Sequence, residues 1–143
     1  MKTSARNQLS GKVSAVHKGA VNDEIELLEI ASGVRIVATI TAESTKRLGL
    51  AVGKEAVALI KASSVIVGVP DPDILLSARN QLAGTVAGIK IGAVNAEVSI
   101  GLPQGGEIVA IITNDSVTSL GLVQGGPAVA IFKASSVLLA ARA

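Results

Sequence analysis

The strongest constraint on this chain is that it is written twice. Ser4-Ala5-Arg6-Asn7-Gln8-Leu9 returns as Ser77-Ala78-Arg79-Asn80-Gln81-Leu82, and Gly19-Ala20-Val21-Asn22 returns as Gly92-Ala93-Val94-Asn95. Lys61-Ala62-Ser63-Ser64-Val65 returns as Lys133-Ala134-Ser135-Ser136-Val137, after a one-residue deletion between positions 101 and 106. A period of this length exceeds most solenoid units and indicates a duplicated domain. The expected organisation is a first domain over residues 1–68, a linker over 69–73 and a second domain over 74–143. The linker, Val69-Pro70-Asp71-Pro72-Asp73, carries two prolines and reads as short, stiff and extended.

Each copy reads as five short strands and one helix. In the first copy the spans 8–17, 24–30 and 34–40 are strand-like and rich in Val, Ile and Leu. Residues 42–48 read as a short helix, with Thr41 as N-cap and Gly49 just past its end. Two more strands follow, 56–60 and 64–67, and the second copy repeats the order with Thr113 at the cap and Gly121 at the stop. The expected fold is all-β: two OB-like five-stranded Greek-key barrels, each with one short helix, in tandem. The chain is 49% hydrophobic with Phe132 as its one aromatic residue, so the core must be aliphatic. A domain this small is marginal alone, and the copies are expected to dock on each other or on other chains.

Composition removes several function classes. With no cysteine and one histidine, His17, thiolate sites, His-rich metal sites and a Ser-His triad in both halves are excluded. No free metal cation and no cofactor is expected. The net charge of +2 is too even, and aromatic stacking platforms too few, to support a nucleic-acid partner. The first twenty residues hold Lys2, Arg6, Lys12, His17 and Lys18 with no apolar run between them, unlike a signal peptide. The longest uncharged stretch, 116–132, is broken by Gly121, Gly125, Gly126 and Pro127 and makes a poor membrane span. A soluble cytoplasmic protein without a membrane partner is the expectation. The stretch Gly49-Leu50-Ala51-Val52-Gly53-Lys54-Glu55 is one residue short of a phosphate-binding loop, and its copy has no lysine.

The duplication permits one internal comparison. The basic residues Arg6, Lys12, Lys18, Arg35, Lys46, Arg47, Lys54 and Lys61 face Arg79, Thr85, Ile91, Glu107, Thr118, Ser119, Gly126 and Lys133 in the second copy. Only Arg6 and Lys61 stay basic. Solvated charges drift freely because most surface substitutions cost little, whereas a site that needs positive charge cannot drift. Ser4, Asn7, Thr41, Ser44 and Ser63, with their counterparts Ser77, Asn80, Thr113, Ser116 and Ser135, add hydroxyl and amide donors. The retained helix starts, Thr41 to Ser44 and Thr113 to Ser116, offer unpaired N–H groups and a partial positive charge. A donor-only site suits a fully deprotonated oxyanion; a protonated phosphate would leave its proton without an acceptor. Molybdate, tungstate and sulfate all match. The acidic group Asp23, Glu24, Glu26 and Glu29 reads as a polar strand face, and only Glu24 has an acidic counterpart, Glu97.

These motifs together resemble the molbindin, or Mop, domain family, and the resemblance covers nearly the whole chain in two copies. It implies an OB-like barrel, no catalytic activity, and binding of molybdate or tungstate for intracellular storage. It further implies a homotrimer with anion sites between domains, lined by Ser4, Arg6, Asn7, Thr41, Ser44, Lys61 and Ala62 and by Ser77, Arg79, Asn80, Thr113, Ser116, Lys133 and Ala134. A secondary anion site on the threefold axis would fall at Gly19, Ala20, Val21 and Asn22 and at Gly92, Ala93, Val94 and Asn95. The same domain serves as an effector module, so an alternative is a molybdate-sensing partner of a transcription regulator. Met1 lies three residues before the first repeat, leaving no expected room for a helix-turn-helix. An enzyme acting on a phosphorylated or sulfated substrate is disfavoured, because no retained pair could serve as nucleophile and base.

Overall fold

The computed structural model describes residues 2–143. In the first copy, apolar–polar alternation marks β1 (Asn7–His17) and β2 (Asn22–Glu29), and nearly continuous apolar runs form β3 (Arg35–Thr41) and β4 (Glu55–Ile60). Inward positions bury Leu9, Gly11 and Val13, Ile25 and Leu27, and Ala56, Ala58 and Ile60, while the residues that alternate with them face outward or stay partly covered. A helix, α1 (Ala42–Arg47), joins β3 to β4, and a short strand, β5 (Ile66–Gly68), ends the copy. The second copy runs β6 (Asn80–Ile91), β7 (Asn95–Gly101), β8 (Glu107–Thr113), α2 (Asn114–Leu120), β9 (Pro127–Phe132) and β10 (Leu138–Ala140).

Two antiparallel five-stranded sheets result, with strand orders β10-β4-β1-β2-β3 and β5-β9-β6-β7-β8. Each curls until its edge strands lie beside each other, β3 against β10 and β8 against β5. Bulges between Val13 and Ala15 in β1 and between Val86 and Gly88 in β6 supply the local twist that curling needs. Glycine at position 11 is dictated by the same curvature: a Cβ there would lie 2.2 Å from the Leu28 carbonyl oxygen, and at Gly84 2.1 Å from that of Gly101.

The barrels are OB-like and in tandem, as expected, but each is closed by a strand of the other copy. Leu138–Ala140 pairs with β4, matching Leu138 to Leu59 and Ala140 to Val57. Ile66–Gly68 pairs with β9, matching Ile66 to Ile131 and Gly68 to Val129. The last strand of each repeat is therefore exchanged within the chain. The buried residues of both barrels form one contiguous apolar cluster, aliphatic except for Phe132, its largest member.

Two local expectations change. The strand foreseen from Ser64 begins at Ile66, because residues Ala62–Ser64 make a 3₁₀ turn with the Ser64 N–H on the Lys61 carbonyl at 2.9 Å. The linker is not simply extended: the Asp71 carboxylate accepts from the Asp73 N–H at 3.0 Å, and the Ile74 N–H reaches the Asp71 carbonyl at 3.2 Å. That is a side-chain-stabilised turn, the local alternative an aspartate offers the backbone. The helices start where the caps predict: Thr41 and Thr113 accept from the N–H of Ser44 and Ser116, each at 3.1 Å. Gly49 and Gly121 then take left-handed conformations with φ of +62° and +64°.

Candidate functional site

Antiparallel pairing of β1 with β4 matches Asn7 to Ile60. Ser4 to Arg6, just before β1, and Lys61 to Ser63, just after β4, therefore leave the barrel at the same point. They line one cavity of about 430 Å³, whose far wall is Ile111 on β8, with Ser136 and Leu138 from the exchanged end of the second copy. The second copy builds the equivalent cavity of about 460 Å³ from Ser77, Ala78, Arg79, Lys133, Ala134 and Ser135, walled by Thr39 on β3 and Ile66 on β5. Each cavity thus takes its cations from one repeat and part of its wall from the other. The two retained motifs of a single copy meet directly, so they do not need a second chain to come together.

Lys61 and Lys133 are exposed at the cavity edge, and among the described residues neither has an ion-pair partner. Ala62 and Ala134 are buried at the start of 3₁₀ turns that lack a side-chain cap, so first-turn N–H groups are available beside the lysines. The arginines differ. Arg6 Nη1 lies 2.5 Å from Glu97 Oε1, and Arg79 Nη1 lies 2.5 Å from Glu24 Oε1. The carboxylate missing from both retained motifs is supplied across the repeats. Reading β2 as a polar face missed this; the available signal was that Glu24, alone in its group, keeps an acidic counterpart.

Asn7 and Asn80 stand elsewhere than among exposed donors. Asn7 is only 2% exposed; its Nδ2 donates to the carbonyls of Ile60 at 3.2 Å and Val109 at 2.8 Å, and its Oδ1 accepts from the Val109 N–H at 2.7 Å. Asn80 makes the matching bonds to the Val37 N–H and carbonyl, both at 2.8 Å. Each side-chain amide imitates a strand residue and pairs with the outer edge of β8 or β3 in the other copy. These asparagines bridge the barrels instead of facing the cavity.

The helix starts also lie outside the two cavities. Thr41 and Ser44 bond each other through their hydroxyls at 2.8 Å, as do Thr113 and Ser116. They adjoin the glycine turns: the Ala42 N–H donates to the Val21 carbonyl and the Asn114 N–H to that of Val94, at 2.8 and 2.9 Å. Residues 19–22 and 92–95 therefore form a second cluster with the helix starts, where Val21 and Val94 are 73% and 71% exposed. In the first copy, buried Asp23 ties this turn by accepting from the Gly19 N–H at 3.0 Å. That bond, with the Thr45 hydroxyl and the Lys18 charge, holds its carboxyl below the usual aspartate range against the opposing effect of burial.

A family model for the TOBE domain matches residues 3–67 and again residues 76–139. The chain belongs to the TOBE-domain family. The tandem TOBE chain is 46% identical over 140 residues to the molybdenum transport protein ModE of Azotobacter vinelandii, covering 98% of this chain and 51% of that protein. It is 45% identical over 140 residues to the molybdenum-pterin-binding protein MopA of Rhodobacter capsulatus, covering 98% of this chain and 52% of that one. The chain thus spans about half the length of these curated relatives. It is also similar to a crystal structure of the cytoplasmic molybdate-binding protein ModG with molybdate bound, with 46% identity and a TM-score of 0.95. That match covers 99% of this chain and 100% of ModG. Both the tandem arrangement and the kinship with molybdenum-handling proteins agree with the molbindin resemblance read from the motifs. No helix among the described residues is long and apolar enough to cross a membrane.

Proposed function

We propose that this chain binds molybdate, and tungstate as its congener of nearly equal size and the same charge, in the two cavities built on Ser4, Arg6, Lys61 to Ser63 and on Ser77, Arg79, Lys133 to Ser135. The observation that carries the reading is the pair of equivalent, cationic, hydroxyl-lined cavities in a chain whose fold follows molybdate-bound ModG from end to end. A tetrahedral dianion offers only acceptors, and the arginine, the lysine, the serine hydroxyls and the uncapped N–H groups are donors. Thr41, Ser44, Thr113 and Ser116 belong to the site in the assembled protein, where a second chain would bring a helix start to a cavity. The glycine turns 19–22 and 92–95 are assigned to a secondary site on a threefold axis.

The role is storage or buffering of the anion inside the cell, without catalysis, by a homotrimer of this chain. Calorimetry with molybdate, tungstate, sulfate and phosphate on one sample tests it. Molybdate and tungstate should bind well above sulfate; sulfate binding as tightly as molybdate would sink the assignment. Light scattering with and without molybdate tests the trimer, which a bridging ligand should stabilise against dissociation.

A further inference from the structure

Resting on the anion reading of the two cavities, we infer that Glu97 and Glu24 are tethered competitors for the arginines and thereby determine which anions the cavities accept. Each carboxylate contacts the arginine of the opposite repeat at 2.5 Å. The carboxylates are the anchored partners: their side chains are 25% and 27% exposed, against 50% and 55% for Arg6 and Arg79. Strand pairing puts them beside the cavity walls, because Glu97 is the cross-strand partner of the lining residue Ile111, and Glu24 of the lining residue Thr39. The retained cations of one cavity are therefore unlike. Among the described residues Lys61 has no ion-pair partner, while Arg6 is already engaged by an anion belonging to the protein.

An arriving anion must take the guanidinium from that carboxylate or settle close beside its charge. A tethered group acts at a high effective concentration, so only a ligand with further partners displaces it. Chloride and single carboxylates offer too few acceptors to compensate. A tetrahedral dianion does, by engaging Lys61, the serine hydroxyls and the first-turn N–H groups together with the arginine. The internal comparison supports a kept function for this carboxylate. Asp23, Glu26 and Glu29 face Ala96, Ser99 and Leu102 in the second copy, and only Glu24 faces an acid.

The test uses the full chain and the variants Glu97→Gln, Glu24→Gln and both together, titrated with molybdate and with sulfate in the presence and absence of chloride. Glutamine keeps the shape and an oxygen acceptor for the arginine, and thermal unfolding confirms that each variant is folded. Glu97→Gln should tighten one class of molybdate site by about fivefold, the upper end for a solvent-screened charge pair, and leave the other class as in the parent. Sulfate should gain at least as much, and chloride should compete more effectively, so selectivity falls as affinity rises. A folded Glu97→Gln or double variant that binds molybdate no more tightly than a parent that does bind it overturns this inference alone. A parent that binds no molybdate overturns the anion reading itself.

Discussion

The two repeats keep the same cavity and the same joint but stabilise their interiors differently. Both retain the Arg–Lys–Ser rim, the cross-repeat Arg–Glu pair and the asparagine bridge. Inside the first barrel, Asp23, Thr45 and Glu29 are buried, where the second has Ala96, Val117 and Leu102. The buried carboxylate of Glu29 accepts from the N–H and the hydroxyl of Ser32, which makes the following turn self-sufficient. The turn entering β2 is held by Asp23, whereas the turn entering β7 is held by Asn114, whose Nδ2 donates to the Gly92 carbonyl at 2.9 Å. Turn anchors are interchangeable because any group that satisfies the same backbone polar atoms will serve. Groups that face the other repeat have no such freedom, since a change in one must match a partner far away in the chain.

The contrast can be broken most severely at the exchanged strands. Deleting residues 138–143 uncovers the β4 edge of the first barrel and leaves the second barrel its β5. We expect a loss of about 3 kcal/mol or more, with self-association through the open edge. Denaturant unfolding and light scattering check this, and a parent-like midpoint would mean that closure does not depend on β10.

Next in size are Asn7→Ala and Asn80→Ala. Each removes the partners of a backbone N–H and a backbone carbonyl, part-buried at Val109 and buried at Val37, so each should lower stability by about 2–4 kcal/mol. The two losses should be nearly equal, because the bridges are geometrically alike. A surface-like cost of a few tenths of a kcal/mol would contradict the bridging role.

Binding separates the retained lysines from the drifting ones. Lys61→Ala and Lys133→Ala should each weaken one class of molybdate site by about ten- to a hundredfold, the effect of one charge-assisted hydrogen bond. Lys46→Ala and Arg47→Ala, at the far end of α1, should bind as the parent does in the same calorimetry. Four indistinguishable isotherms would remove the lysines from the site.

Acid should distinguish the barrels most gently. Asp23 is held below the usual range by the Gly19 N–H, so its contribution is present in full above the unfolded carboxyl pKa of about 3.9. It is lost as pH falls through the lower folded value. Asp23→Ala should therefore flatten the acid limb of the stability–pH curve, while changes at Ala96 that keep it apolar should not alter that limb. An unchanged limb in Asp23→Ala would assign the acid dependence to other carboxylates.

Much of this was readable from local pattern. Thr41 and Thr113 were identified as caps because a cap involves only the next three residues. The burial phase of β1 also held an unread signal: Asn7 falls on the inward side with Leu9 and Val13, where a polar residue must have a partner. The 3₁₀ turn at Ala62–Ser64 left no comparable mark, since its short-range bonds demand no particular side chain.

The duplication, the strand period of two, the aliphatic core and the retained cations are all written in the order of residues, because each depends on neighbours or on comparison of the copies. Which strand closes which barrel is not. Ile66-Val67-Gly68 and Leu138-Leu139-Ala140 are alike in length and apolar character, and both β4 and β9 present an edge that either could extend. Pattern alone leaves the two pairings nearly degenerate, and only the packing of both repeats around one core separates them. The same packing brings Glu97 to Arg6 and Asn7 to Val109, contacts between distant parts of the chain that no local rule encodes.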